Sequence, residues 1–158
     1  MDELARKVGQ RLKAAAQSLV TAESCTGGWV SQAVTSVAGS SDWFERGFVT
    51  YSNAAKQELL GVKGSTLEKH GAVSEETARE MAQGALAHSK GTIALAVTGV
   101  AGPGGGTKAK PVGMVCFAWA TNRMVKSETK RFAGDRESVR RQSVIRALEG
   151  VLETLAGG

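Results

Sequence analysis

The chain has 158 residues, enough for one domain with a single core that buries about two thirds of the surface of the unfolded chain. Its 42% hydrophobic and 22% charged residues exclude a disordered protein and are typical of a globular one. The net charge of +5 suits an anionic partner, but the charges are spread along the chain and form no run of five like charges.

The N-terminus and the two cysteines indicate a cytoplasmic protein. MDELARKVGQ is a charged helix start without an apolar segment, which predicts that there is no signal peptide. The longest apolar runs, such as IALAV, are too short to cross a bilayer. Cys25 and Cys116 form no disulfide framework, and no metal-binding spacing is present, so no metal is expected.

Apolar spacing predicts the secondary structure of the first third of the chain. In chain order the elements are a helix over 2–17 with Asp2 as its cap, a buried strand over 18–22, a helix from Thr26 to near Gly39, and a strand within 44–52.

The same spacing, together with capping residues, predicts the secondary structure of the remaining two thirds of the chain. It consists of a short helix from about Asn53 to Gly61, a helix over 75–89 capped by Ser74, a central strand over 92–99, a hairpin of strands over 113–121 and 124–132, and a last helix capped by Asp135. This order predicts an α/β fold, a three-layer α/β/α sandwich on a mainly parallel sheet of about five strands. A single domain over 1–158 is expected, because the sequence contains no repeat, low-complexity tract or linker.

Three polar stretches follow the predicted strands and are expected to meet. They are ESCTGG, TYSNAAK and TGVAGPGGG, after the first, second and third strand. In open α/β sheets the carboxyl ends of the strands form one edge, and ligands bind there. The sequence therefore predicts a ligand site at that edge.

Ser24 has two interpretations at this stage. It could face unpaired N–H groups from Cys25 to Gly28 at a helix start, which could receive an anion or a developing oxyanion. The spacing alone favours a simpler role for Ser24 or Thr26 as a helix cap. The thiol of Cys25 could be activated at a helix N-terminus, but no His lies near it in sequence, so a buried, inert thiol is expected. Cys116 is expected in the core.

Lys56 and the glycine-rich loop also leave alternatives open. A lysine at this position is most simply a solvated helix residue, although Tyr51, Ser52 and Asn53 crowd the same edge. Partial burial there would lower the pKa of Lys56 and allow it to act as a base. GVAGPGGGTK matches neither GxxxxGK[ST] nor GxGxxG, so it predicts a backbone nest for phosphate or a flexible turn.

Four long stretches resemble the CinA C-terminal domain family. They are ESCTGGWVSQAVTSVAGSSDWFERGFVTYSNAAKQELLGV, GAVSEETAREMAQGA, AVTGVAGPGGGTKAKPVG and FAGDRESVRRQSV, and together they cover nearly the whole chain in order. The chain is similar to the stand-alone branch of the family, the bacterial nicotinamide-nucleotide amidohydrolases. The separate N-terminal domain of longer CinA proteins is not represented in this sequence.

The resemblance implies a fold similar to anticodon-binding domains, with one antiparallel strand in the sheet. It also implies hydrolysis of the carboxamide of nicotinamide mononucleotide (NMN) to nicotinic acid mononucleotide and ammonia, as part of pyridine nucleotide salvage. The serine nucleophile of the family falls on Ser24, its lysine on Lys56 and its tyrosine on Tyr51. Lys56 would act as the base without a metal or cofactor. Tyr51 would hydrogen-bond to either of the other two, and N–H groups at the following helix start would hold the oxyanion.

The substrate-binding residues expected on this basis lie in the three polar stretches and the last helix: Thr26, Gly27, Asn53, Thr98, Gly99, Gly102, Gly104, Gly105 and Arg140, with Arg141 as an alternative for the phosphate. The expected partner is the small molecule NMN, with no nucleic acid and no membrane, and a homo-oligomer is allowed. A catalytically silent nucleotide- or phosphate-binding module is the alternative function. A DNA-binding accessory role has only the net charge in its favour.

Overall fold

Strands and helices alternate along the chain in a computed structural model that describes residues 1–157. The strands are β1 (Leu19–Glu23), β2 (Phe44–Val49), β3 (Ile93–Gly99), β4 (Met114–Ala120) and β5 (Val125–Arg131). The helices are α1 (Asp2–Ala14), α2 (Trp29–Thr35), α3 (Asn53–Leu60), α4 (Gly64–His70), α5 (Glu75–Ala87) and α6 (Arg136–Gly157). In this described part of the chain, no helix is long and apolar enough to cross a membrane.

The strands form one mixed sheet in the order β2-β1-β3-β4-β5. β1 pairs in parallel with both β2 and β3, whereas β4 pairs antiparallel with both β3 and β5. β4 is thus the one strand that runs against the others. The predicted sheet of about five strands with one antiparallel strand is confirmed.

The two faces of the sheet carry side chains of different size, because successive residues of a strand point to opposite faces. One face packs large side chains against α1, α2 and α6, among them Leu19, Leu95, Val97, Phe117 and Trp119. The other is mostly alanine and packs against α3, α4 and α5; its alanines are Ala22, Ala94, Ala96, Ala118 and Ala120. The three predicted layers are therefore present, and the small face brings α5 close to the sheet.

Three of the predicted helix ends are confirmed. The Ser74 hydroxyl accepts a hydrogen bond from the N–H of Thr77 at the start of α5. The Asp135 carboxylate accepts one from the N–H of Ser138 at the start of α6. Gly61 ends α3 in the left-handed region with a φ of 68°, where glycine is favoured because it has no Cβ.

Two predictions about helix starts were wrong, and one helix was missed. Asp2 lies in the first turn of α1 and does not cap it. The second helix begins at Trp29 instead of Thr26, because Gly27 and Gly28 have φ angles of 56° and 103° and form a turn before it. α4 was not predicted, since seven residues are too few to show a helical period.

Gly84 of α5 permits a close approach to α3, the helix that carries Lys56. A Cβ on Gly84 would lie 1.9 Å from the carbonyl oxygen of Leu60, the last residue of α3. Gly84→Ala should therefore lower the free energy of unfolding by about 2–3 kcal/mol, although alanine normally stabilises a helix relative to glycine by up to about 1 kcal/mol. Urea unfolding monitored by circular dichroism measures the change. In Gly157→Ala the new Cβ meets nothing within 4 Å, so this control should shift stability by less than about 0.5 kcal/mol; equal effects would contradict the account of this contact.

Candidate active site

A cavity of about 220 Å³ opens at the edge where the parallel strands end. From β1 the chain reaches β2 through α2 on one face, and it returns to β3 through α3, α4 and α5 on the other face. Such a switch of faces leaves a crevice beyond the strand ends. The cavity is lined by Ser24, Cys25, Tyr51, Lys56, Ala72, Val73, Thr98, Gly99, Ala101 and Arg136.

Ser24 and Lys56 are in direct contact inside this cavity. Ser24 follows β1 immediately, and Lys56 projects from α3 with only 1% of its surface exposed. The Nζ atom of Lys56 lies 2.9 Å from the Oγ atom of Ser24. It also lies 2.8 Å from the carbonyl oxygen of Thr50 and 3.1 Å from that of Tyr51.

This geometry determines which proton Lys56 can lose. Carbonyl oxygens only accept hydrogen bonds, so the oxygens of Thr50 and Tyr51 hold two N–H groups of Lys56 in place. The third direction faces the hydroxyl of Ser24. Burial lowers the pKa of Lys56 to about 8, so a neutral amine is accessible near neutral pH, with its lone pair aimed at Ser24. The pair is arranged for transfer of the Ser24 proton to Lys56.

The carboxylate of Glu23 occupies the N–H groups at the start of α2. Its Oε1 atom accepts hydrogen bonds from the Thr26 hydroxyl at 2.7 Å and from the N–H groups of Gly28 and Val30 at 3.2 and 2.9 Å. Its Oε2 atom accepts from the N–H and hydroxyl of Ser31 at 3.0 and 2.8 Å. A buried carboxylate therefore fills the start of α2, and of the N–H groups from Cys25 to Gly28 that were expected to receive an oxyanion, that of Gly28 is already taken.

Two N–H groups of the turn after β1 have no such partner. The N–H of Ser24 donates to the carbonyl of Val97, and the N–H of Gly27 donates back to the carbonyl of Ser24, each at 3.0 Å. Cys25 and Thr26 are the central residues of that turn. Within residues 1–157 neither of their N–H groups donates a hydrogen bond. Cys25 lines the cavity, whereas Thr26 is fully buried outside it, so the N–H of Cys25 is the donor of this turn that remains for a negatively charged oxygen.

The thiol of Cys25 lies beside the serine, but it is not ionised at neutral pH. Cys25 is 6% exposed, and burial raises its pKa to about 12. A thiol must lose its proton to become a strong nucleophile. Cys116 is fully buried in the sheet, and burial raises its pKa as well. The structure thus places both cysteines as buried thiols, as expected.

Tyr51 takes part in the site differently from the expectation. The backbone carbonyl of Tyr51 contacts Lys56, while its side chain is 64% exposed at the cavity. Among the described residues its hydroxyl forms no hydrogen bond with Ser24 or Lys56. The expected contact through the phenol is therefore wrong, and the ring forms part of the cavity mouth instead.

Of the expected substrate-binding residues, the structure brings two to the cavity. Thr98 and Gly99 line it at the end of β3, and the hydroxyl of Thr98 donates to the carbonyl of Ala72 at 2.9 Å. The other expected residues are not part of its lining: Thr26, Gly27, Asn53, Gly102, Gly104, Gly105 and Arg140.

Arg140 is attached to the turn after β1 instead of facing the cavity. Its Nε atom donates to the carbonyl of Cys25 at 3.1 Å, and its Nη2 atom donates to the carbonyl of Thr26 at 3.0 Å. The neighbouring Arg141 forms an exposed ion pair with Glu137 at 3.2 Å. Neither of the two arginines expected to read a phosphate lines the cavity.

Arg136 is the arginine that lines the cavity, and the sequence analysis missed it. Its Nη1 atom donates to the carbonyl of Gly102 at 2.7 Å, which ties α6 to the glycine-rich loop. The sequence did contain an indication of a role outside the helix. Arg136 lies in the first turn of α6, where a cation opposes the helix dipole and does not stabilise the helix. Ala72, Val73 and Ala101 also line the cavity, and no chemical pattern marks them in the sequence.

The fold and this site define an α/β domain with a serine–lysine pair buried at the carboxyl edge of its sheet. The sequence matches the CinA C-terminal domain family over residues 1–155, and the chain belongs to that family.

Curated relatives and a solved structure agree with this assignment. The nicotinamide-nucleotide amidohydrolase PncC of Escherichia coli (strain K12) is 54% identical over 149 residues, which span 93% of this chain and 90% of that protein. The protein of the same name from Pseudomonas putida is 52% identical over 150 residues, or 95% of this chain and 94% of its own. The crystal structure of the competence/damage inducible protein CihA from Agrobacterium tumefaciens has a TM-score of 0.94 at 45% identity, covering 98% of this chain and 94% of that one. The resemblance read from the sequence is confirmed.

Replacement of Glu23 should destabilise the whole chain. Glu23→Gln keeps the size of the side chain but leaves one acceptor oxygen, and its amino group then faces N–H donors. We expect the free energy of unfolding to fall by about 2–4 kcal/mol. Glu58→Gln, on the exposed surface of α3, is the matched control and should change it by less than about 0.5 kcal/mol. Equal urea midpoints for the two variants would show that Glu23 does not brace the turn.

Proposed function

We propose that this chain hydrolyses the carboxamide of NMN to nicotinic acid mononucleotide and ammonia, with Ser24 as nucleophile and Lys56 as base. The observation that carries the proposal is the 2.9 Å contact between the Nζ atom of Lys56 and the Oγ atom of Ser24 in the cavity. The names of the curated relatives, nicotinamide-nucleotide amidohydrolases at 54% and 52% identity, support the substrate.

The first half of the reaction forms an ester on Ser24. Neutral Lys56 accepts the proton of the Ser24 hydroxyl while Oγ attacks the carboxamide carbon. The carbonyl oxygen becomes an oxyanion, and the N–H of Cys25, a residue that lines the cavity, is the donor of this turn available to it. Lys56 then returns the proton to the carboxamide nitrogen, the C–N bond breaks, and ammonia leaves.

The second half restores the enzyme. Water takes the place of ammonia beside Lys56, which accepts a proton from it as the water oxygen attacks the nicotinoyl ester. The second tetrahedral intermediate has its oxyanion at the same N–H of Cys25. It collapses with return of the proton to the Oγ atom of Ser24, and nicotinic acid mononucleotide is released. Side chains of this chain and water carry every proton in these steps.

Two side chains of the cavity suit the remainder of the substrate. NMN carries a cationic pyridinium ring and an anionic phosphate. The exposed ring of Tyr51 offers an aromatic face to the pyridinium. The guanidinium of Arg136 is the cation of the cavity that is available to the phosphate. Contacts from Gly102, Gly104 and Gly105 of the glycine-rich loop stay a prediction.

The alternative of a silent binding module leaves Lys56 without a purpose. A buried lysine with a lowered pKa is costly in free energy. A module that only binds a nucleotide has no need for its amine to face a serine hydroxyl. The cytoplasmic location, the role in pyridine nucleotide salvage and the absence of a nucleic-acid partner stay parts of the proposal.

Ser24→Ala should abolish ammonia release from NMN, whereas Cys25→Ala should keep most of it. Loss of the nucleophile should lower kcat by at least about 10³-fold. Loss of a thiol that stays protonated should change kcat by less than about threefold. The measurement is ammonia release by the purified proteins under saturating NMN.

Cys25→Ala serves as the control here, because it removes a side chain adjacent to the nucleophile from the same turn. Near-normal turnover in Ser24→Ala, or inactivation that follows alkylation of Cys25, would overturn the assignment of the nucleophile. A wild-type protein that binds NMN but releases no ammonia would favour the silent module.

The pH dependence should report Lys56. A free lysine has a pKa of about 10.4, whereas that of Lys56 is lowered to about 8 by burial. The ammonium form below this pKa cannot accept the Ser24 proton, and the neutral form above it can. The value of kcat/KM should therefore rise with pH along a single ionisation near pH 8 and then level off.

Substitution of Lys56 completes this test. Lys56→Arg and Lys56→Ala should each lower kcat/KM by at least about 10²-fold. A guanidinium stays protonated and cannot accept the Ser24 proton, and the methyl group of alanine cannot accept a proton at all. Both variants should still bind NMN. Lys69→Arg, exposed on α4, is the matched control and should leave the profile unchanged. An active Lys56→Arg protein would exclude Lys56 as the base.

A further inference from the structure

We propose that Arg140 is a positioning residue for this reaction, which holds the turn Ser24–Gly27 so that Ser24 and the N–H of Cys25 stay at the cavity. The inference rests on the proposed function. It assigns Arg140 to the chemistry of the turn and not to the phosphate of the substrate.

The hydrogen bonds of Arg140 fix two successive peptide units. Its Nε and Nη2 atoms hold the carbonyl oxygens of Cys25 and Thr26 at 3.1 and 3.0 Å. A trans peptide is planar, so its N–H points away from its C=O. Anchoring the carbonyl of Cys25 therefore directs the N–H of Thr26 away from Arg140. Anchoring that of Thr26 directs the N–H of Gly27 away too, and it donates to the carbonyl of Ser24.

The anchor opposes rotation of the central peptide of the turn, which joins Cys25 to Thr26. Rotation of this peptide interconverts turn types I and II, and type II needs a positive φ at the second central residue. Here that residue is Thr26, for which a positive φ is unfavourable because it is β-branched. The charge-assisted hydrogen bonds of Arg140 to the two carbonyls favour the same form. The turn that carries Ser24 and the N–H of Cys25 is therefore held in one conformation.

The surroundings of Arg140 keep it in this position. Its guanidinium lies over the ring of Trp29, 5.4 Å from the centroid, and it projects from α6 beside the first turn of α2. Glu23 holds the other side of the same segment through the N–H groups of Gly28 and Val30. The segment is thus held by a cation on its carbonyls and by an anion on its N–H groups.

The matched control for Arg140 is the residue beside it. Arg141 also lies over Trp29, at 5.2 Å, but it pairs with Glu137 and touches no carbonyl of the turn. Arg136, which lines the cavity, is the comparison for phosphate recognition. The variants are Arg140→Met, Arg140→Lys, Arg141→Met and Arg136→Met, each measured with NMN and with nicotinamide riboside, which lacks the phosphate.

Loss of the anchor should affect turnover and not binding. Arg140→Met should lower kcat by about 10²-fold, the usual effect of losing one oxyanion donor. It should leave KM within about threefold and act by the same factor on both substrates. Arg140→Lys should recover part of the loss, and Arg141→Met should match the wild type. Arg136→Met should instead raise KM for NMN alone.

Two kinetic results would overturn the inference. One is a kcat of Arg140→Met within about threefold of that of Arg141→Met. The other is a loss in Arg140→Met that is confined to NMN, which would make Arg140 a phosphate reader. If Arg140→Met does not fold, Arg140→Lys decides by the same criteria, because one amine cannot hold both carbonyls in the geometry of a guanidinium.

Hydrogen exchange tests the turn without relying on turnover. Peptides that cover residues 24–28 should exchange at least about tenfold faster in Arg140→Met than in Arg141→Met, because the amide of Gly27 loses its fixed partner. Equal exchange would overturn the inference. A wild-type protein that releases no ammonia from NMN would instead contradict the proposed function, and the exchange rates would then decide the role of Arg140 alone.

Discussion

The burial of one amine organises the site of this protein. Lys56 has almost no contact with solvent, and its Nζ atom is surrounded by one hydroxyl and two carbonyl oxygens. Burial in such a place disfavours the ammonium form, and the two carbonyls decide which proton leaves. Ser24 stands in the third direction, so the same contacts that hold the lysine also aim it. The packing of α3 against α5 therefore also positions the amine.

The end of β1 and the turn after it contact both faces of the sheet within a few residues. Glu23 points toward α2, where it occupies the N–H groups of the helix start. Ser24 points to the opposite side, toward Lys56, as successive residues of an extended chain do. Arg140 reaches the same segment from α6 and holds its carbonyls. A buried carboxylate and a guanidinium thus hold the turn that presents the serine.

Much of the fold could be predicted from the sequence, because the signals concerned are local. The buried strand over 92–99, the hairpin after it, and the caps at Ser74 and Asp135 depend on a few neighbouring side chains and backbone groups. The order of strands and helices predicted the three layers by the same reasoning. The placement of Ser24 and Lys56 at one edge followed from the rule that parallel strands end together, although their identity as a pair came from the family resemblance.

The tertiary structure alone decided which groups touch. Arg136 and Arg140 are four residues apart on one helix. The sequence around them does not distinguish the arginine that lines the cavity from the one that binds the carbonyls of a turn. Tyr51 contributes a carbonyl where its side chain was expected, since backbone groups carry no mark in a sequence. The sequence by itself determined the elements, the layers and the edge at which the site lies, because those depend on periodicity and chain order. The orientation of each donor and acceptor depends on how separate elements pack, and it is visible only in the folded chain.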